Sequence, residues 1–134
     1  MMGKLLRPTW VTRQDLRNNP LTIYMFGDNM LRQGMGGQAG AMRGEPNAVG
    51  VPTKWAPGMQ PWDFFTDTDA EPGFVKEQID QAFETALSTL MLGRDVAIPA
   101  DGLGTGLSQL PERAPLVLQL IETWILRLHQ AAKP

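Results

Sequence analysis

The sequence predicts a single α/β domain, and three observations carry that reading. Short apolar, β-rich runs at 21–26, 48–52 and 95–98 alternate with segments of helical periodicity, the longest at 75–92 and 111–130. Glycines crowd the stretches after the first and last of these runs: seven of 14 lie between Gly27 and Gly50, and three more are Gly102, Gly104 and Gly106. With 134 residues, 43% of them hydrophobic, the chain can bury one core without disulfide or metal staples.

Taken in order, Thr12 is placed to cap a short helix over Arg13 to Asn18, which Asn19-Pro20 ends. Leu21 to Phe26 reads as a buried strand, since Ile23, Tyr24 and Phe26 favour a pleat and the run is too short for a helix. Gly27-Asp28-Asn29 is expected to leave that strand. Gln38 to Met42 predicts a short helix, freed by Gly36-Gly37 and stopped by Gly44. Ala48 to Pro52 is a second strand. From Lys54 to Gly73, Pro57, Gly58, Pro61 and Pro72 predict a long loop. Trp62, Phe64 and Phe65 are expected to pin it to the body, with a brief strand at most. Loops of this length usually cover something.

Val75 to Leu92 is the clearest helix. Val75, Ile79, Ala82, Phe83, Ala86, Leu87, Leu90 and Met91 share one face, Lys76, Glu77, Asp80 and Glu84 the other, and Gly93 supplies the stop. Asp95 to Ile98 is a short buried strand. Pro111 to about Gln130 predicts the last helix, with Ala114, Val117, Ile121, Trp124, Ile125 and Leu128 in one stripe. Leu116, Leu120 and Leu126 widen the stripe, which implies deep burial or a partner. No repeat or low-complexity linker divides the chain, so one domain over 1–134 is expected.

Composition narrows the chemistry. A net charge of −2 argues against a broad nucleic-acid face. No apolar run approaches the roughly 20 residues that span a bilayer, and MMGKLLRPTW lacks a signal-peptide core. The absence of cysteine removes thiolate metal sites and thiol nucleophiles and suits a reducing compartment, so a cytoplasmic location is expected. A single histidine, His129, leaves little basis for a His-based metal or acid–base site. Neither metal nor cofactor is expected.

In an open α/β sheet, ligands bind outside the carboxyl ends of strands, which is where both glycine clusters fall. Backbone N–H groups in such loops, and at the helix start near Gln38, suit phosphate. The spacing is not a Walker motif, because no Gly-Lys-Ser/Thr closes it. It matches GxGxxG only loosely through Gly34, Gly36 and Gly40. Tight turns are the other reading of the first cluster. A second cluster after Pro99 favours a diphosphate held between two loops.

GMGGQA (34–39) and IPADGLGTGLSQL (98–110) resemble the two ligand loops of macrodomains, which bind ADP-ribose. The resemblance is nearest to the branch containing the terminal ADP-ribose protein glycohydrolase. Arg32 to Ala39, Thr53-Lys54 and Pro99 to Leu107 follow that branch's order, with Thr105-Gly106 as an apparent insertion; the likeness covers roughly 21–128. The phrases GDN and MRGEPNA are also shared with small uncharacterised proteins encoded by bacteriophages. The resemblance implies a macrodomain-like three-layer α/β/α sandwich with a mixed central sheet.

It also implies roles. Gly34, Gly36 and Gly37 would lie along the distal ribose and diphosphate, while Gly104, Thr105 and Gly106 wrap the diphosphate from the other side; Gln38, at the helix start, and Ser108 are further ligand-binding candidates. Lys54 matches the lysine that attacks the anomeric carbon of the distal ribose in that branch, which requires a lowered pKa. A solvated strand-end lysine is the plainer reading. The branch's acid is an aspartate two residues after the last loop glycine, where this chain has Ser108. Serine cannot serve as a carboxylic acid does, and Asp101 in the same loop is the candidate substitute.

Asp28 and Asn29 stand where an adenine-recognising group is often placed, although both are routine turn formers. Arg43 can pair with phosphate, but a surface contact with Glu45 is the expectation. Trp55, Trp62, Phe64 and Phe65 can stack on a base, yet loop aromatics more often pack on the core. Asp67, Asp69 and Glu71 lack EF-hand spacing and read as solvated acids. The expected function is binding of ADP-ribose or a related nucleotide, free or on an ADP-ribosylated macromolecule, with ADP-ribosyl hydrolysis open. The alternative is a non-catalytic binder that sequesters such a nucleotide.

Overall fold

Four parallel strands form the sheet, in the order β1-β4-β2-β3, in a computed structural model that describes residues 1–134. They are β1 (Leu5–Leu6), β2 (Ile23–Asn29), β3 (Ala48–Lys54) and β4 (Val96–Ala97). The helices are α1 (Arg13–Asn18), α2 (Ala39–Met42), α3 (Phe74–Met91), α4 (Leu110–Arg113) and α5 (Pro115–Ala131). The expected mixed sheet is therefore corrected to an all-parallel one. A single antiparallel bridge, Lys54 to Phe64, lies outside it. Every strand-to-strand connection carries a helix or a long crossover, which leaves no hairpin to reverse a strand.

The strands alternate their side chains between two apolar clusters. Met25, Val51 and Val96 meet Ile79, Phe83 and Leu90 of α3 and Val117, Ile121 and Trp124 of α5. Tyr24, Phe26 and Ala97 meet Leu16 of α1 and Ala39 and Met42 of α2. Both faces of the sheet are thus covered, as a parallel sheet requires.

α1 has the expected bounds, with a reciprocal capping box between Thr12 and Asp15. β2 instead runs through Gly27-Asp28-Asn29, which pair with Val51, Pro52 and Lys54 across a bulge. β3 likewise continues two residues past Pro52. In the long loop Phe64 and Phe65 are buried pins, but Trp62 is exposed and holds nothing down. Met91, Leu116 and Leu126 also lie in the open, outside the faces assigned to them. The last helix is broken: Ala114 leaves the helical region (φ −150°, ψ 63°) because Pro115 follows it, giving α4 and then α5. β1 was not anticipated. Its two residues become a strand only by pairing with Val96 and Ala97.

Candidate functional site

β2 and β4 are neighbours whose following helices depart to opposite faces, α2 to one cluster and α4–α5 to the other. That divergence opens a crevice at their carboxyl ends, the usual ligand position in an open α/β sheet. Both glycine loops border it, and the cleft has two chambers. A wide one of about 600 Å³ includes Gly37, Gln38, Asp101, Gly104, Thr105 and Gly106 in its wall. A small polar one of about 110 Å³ is walled by Asp28, Asn29, Gly34, Arg43, Thr53 and Lys54. Gly27, Gly36, Leu107 and Ser108 border both and form the waist. A Cβ on Gly36 would sit 3.7 Å from Leu107 Cδ1, so the two loops meet there.

Local geometry explains the glycines. Gly34 (φ +95°) and Gly104 (φ +84°) occupy the left-handed region, and a Cβ on Gly104 would collide with the Leu110 side chain. No backbone N–H from residue 34 to 38, or from 103 to 108, donates to a protein acceptor. Most of these residues are exposed at the cleft, so their N–H groups stand open to solvent or to a ligand.

Asp28 and Arg43 build the first loop's foundation. Asp28 accepts bonds from Arg43 Nη1 (3.2 Å) and Nη2, from Arg32 Nη1 (3.3 Å) and from the Asn29 N–H (2.8 Å). Arg43 also donates to the carbonyls of Gly34 (2.7 Å) and Gln33 (3.2 Å), and its guanidinium lies 5.5 Å from the Phe26 ring centre. The expected Arg43–Glu45 contact is absent. Glu45 pairs instead with Arg13 (2.7 Å) and Arg17 (3.3 Å), whose hydrogen bonds hold its pKa below the usual 4.5. Asn29 donates to the Gln33 carbonyl (2.7 Å), closing the same loop.

Lys54 is buried, at 6% exposure, with no carboxylate in salt-bridge range. Its Nζ donates to the Gly58 carbonyl and lies 4.5 Å from the centre of the Phe64 ring, which Arg113 also covers at 3.8 Å. Burial pushes its pKa below the ordinary 10.5; Asp63 opposes the shift and Arg113 adds to it. The plainer sequence reading, a solvated lysine, is corrected. Ser108 Oγ lies 2.6 Å from Thr53 Oγ1, which also donates to the Asp28 carbonyl (3.0 Å). Asp101 is exposed and borders the wide chamber, whereas Lys54 borders the small one. The two candidate catalytic residues are not brought into one chamber.

Some polar residues serve the scaffold. Gln38 spends both ends of its amide on Val11, accepting from its N–H (3.0 Å) and donating to its carbonyl (3.3 Å). Asn47, buried, reaches the carbonyls of Leu16, Asn19 and Thr22. Asp67 accepts from the Leu116 N–H at the start of α5, and Asp69 from the Thr66 N–H. His129 Nε2 lies 3.0 Å from Arg7 Nη1 and accepts from it, since a guanidinium only donates. Sequence reasoning missed Thr9 and Trp10, which border the wide chamber. No signal in the sequence singles them out, since the exposure of Trp10 and its place just after β1 are set by the fold.

The sequence model of a family of unknown function (DUF7831) matches residues 6–124, and the chain belongs to that family. No curated protein and no solved structure matches the chain. The family match begins at the second residue of β1 and runs through both glycine loops and β2 to β4 into α5.

Proposed function

We propose that this member of the DUF7831 family binds ADP-ribose or a closely related nucleotide in the two-chambered cleft, on a macrodomain-like three-layer sandwich. The observation that carries the reading is the meeting of two glycine loops at the waist with their backbone donors unspent. Such donors suit the oxygens of a diphosphate, and Lys54, which has no carboxylate partner, is the cation of the small chamber nearest to hand. The small chamber then takes the distal ribose and the wide one the rest of the nucleotide.

Recognition without turnover is the form that the geometry favours. Attack by Lys54 Nζ on the anomeric carbon would form a C–N bond and break the bond to the acceptor, whose leaving oxygen needs a proton. Ser108 is no acid at neutral pH, and Asp101 borders the other chamber. Asp28 is tied to two arginines. Glycohydrolase activity is the second reading, supported by the buried Lys54 amine with its lowered pKa.

Calorimetric titration with ADP-ribose tests the first reading; absence of heat at millimolar ligand sinks it. Incubation with an ADP-ribosylated protein then separates the two. Release of ADP-ribose by the parent and none by Lys54→Ala, with binding retained, would establish the enzyme. No release by the parent leaves a binder.

A further inference from the structure

The segment from Arg7 to Val11 is strung between the two ligand loops. At one end Arg7 donates to the carbonyls of Ile98 (3.2 Å), Pro99 (3.0 Å) and Ala100 (3.2 Å), and the Ala100 N–H donates to the Pro8 carbonyl (2.8 Å). These bonds fix it to the stem of the second loop. At the other end both backbone groups of Val11 are held by the Gln38 amide, directly after the first loop, and the Val11 side chain is 1% exposed. Between the anchors stand Thr9 and Trp10.

Trp10 borders the wide chamber and yet is 69% exposed. Leaving an indole in water forfeits the burial that a large apolar side chain ordinarily gains on folding. The backbone on both sides is fixed, so the ring's exposure does not come from a loose end. A flat apolar face at the rim of a cleft lined by glycine and polar groups is what a planar ring needs for stacking. The aromatics that sequence put forward for this role are placed elsewhere: Phe64 and Phe65 are buried, and none of Trp55, Trp62, Phe64 or Phe65 borders either chamber.

We propose that Trp10 is the stacking platform for the nucleobase, and that the 7–11 strap holds it at a set distance from the diphosphate site. The inference rests on the nucleotide-binding reading above. It assigns the base to the wide chamber and makes the preferred ligand a nucleotide rather than a bare diphosphate. The strap ties the platform to both loops, so base stacking and diphosphate binding share one rigid frame.

The test compares the parent protein, Trp10→Ala and Trp10→Phe, each titrated calorimetrically with ADP-ribose and with inorganic pyrophosphate. Thermal melts of the three proteins serve as the folding control, which the exposed position of Trp10 should satisfy. Base–aromatic stacking predicts a loss of roughly 5- to 150-fold in ADP-ribose affinity for Trp10→Ala. Pyrophosphate affinity should be unchanged, and Trp10→Phe should recover most of the loss. Equal ADP-ribose affinity in parent and Trp10→Ala overturns the platform while leaving the nucleotide site standing. An equal loss for both ligands also overturns it, because Trp10 would then shape the loops instead of meeting a base. A parent that binds neither ligand defeats the nucleotide reading itself, a result distinct from both.

Discussion

At the scale of single residues, the cleft depends on polar side chains spent on the scaffold. Asn47 is the clearest case: buried, with its amide reaching the carbonyls that end α1 and lead into β2. Asn47→Ala leaves those carbonyls short of a donor and should cost about 1 to 3 kcal/mol, read as a lower urea midpoint with an unchanged slope. Lys54 makes a pH prediction. Its folded pKa lies below 10.5, so between the two values the unfolded state holds the extra proton and stability rises with pH. Lys54→Met removes this titration. The parent should therefore gain on the variant as pH climbs through that window, and the Lys54 Cε resonance should titrate with a midpoint below 10.5. A midpoint at or above that value refutes the burial argument. The glycine positions of the site were legible in the sequence because backbone freedom is a local property. The partners of Asp28, Arg43 and Glu45 were not: Asp28 joins Arg43 from 15 residues away, and Glu45 takes Arg13 from 32 away. Only the fold chooses among such carboxylates and guanidiniums.

At the scale of elements, what sequence disclosed was whatever its neighbours determine. α1 carries its own cap and its own stop, and α3 writes its buried stripe in Val75, Ile79, Phe83 and Leu90. β1 has no such signature, since two leucines become a strand only beside β4. The break at Ala114 was readable from Pro115, but the apolar stripe ran through it and concealed it. α1 also offers a test of its docking. Arg13 and Arg17 join it to Glu45, beyond α2, and hold the Glu45 pKa down. That stabilisation is present above pH 4.5 and is lost as pH falls through the lowered folded value. Glu45→Gln should therefore be less stable than the parent near neutrality, with the gap closing in acid. Urea unfolding of both proteins from neutral to acid pH reads it, and a constant gap would show that the ion pairs are not the cause.

At the scale of the whole molecule, a ligand bound across both loops joins parts that are far apart in the chain, Gly34 to Gln38 and Gly104 to Ser108. Binding to the folded state alone should raise the melting temperature with ligand concentration, by the equivalent of about 2.7 kcal/mol at a hundredfold excess over Kd. A scan of ADP-ribose concentration by differential scanning fluorimetry checks this, and a flat response would contradict a shared site. The α/β class was readable from the alternation of strand and helix patterns, whereas the all-parallel order was not, because strand neighbours are set by contacts between distant segments. That order has a consequence at the sheet's margins. One margin is β3, where Pro52 has no N–H to offer, and the other is β1, only two residues long. Pro52 interrupts the donors along one margin and the other offers only two residues, so both are poor templates for edge-to-edge addition of an incoming strand.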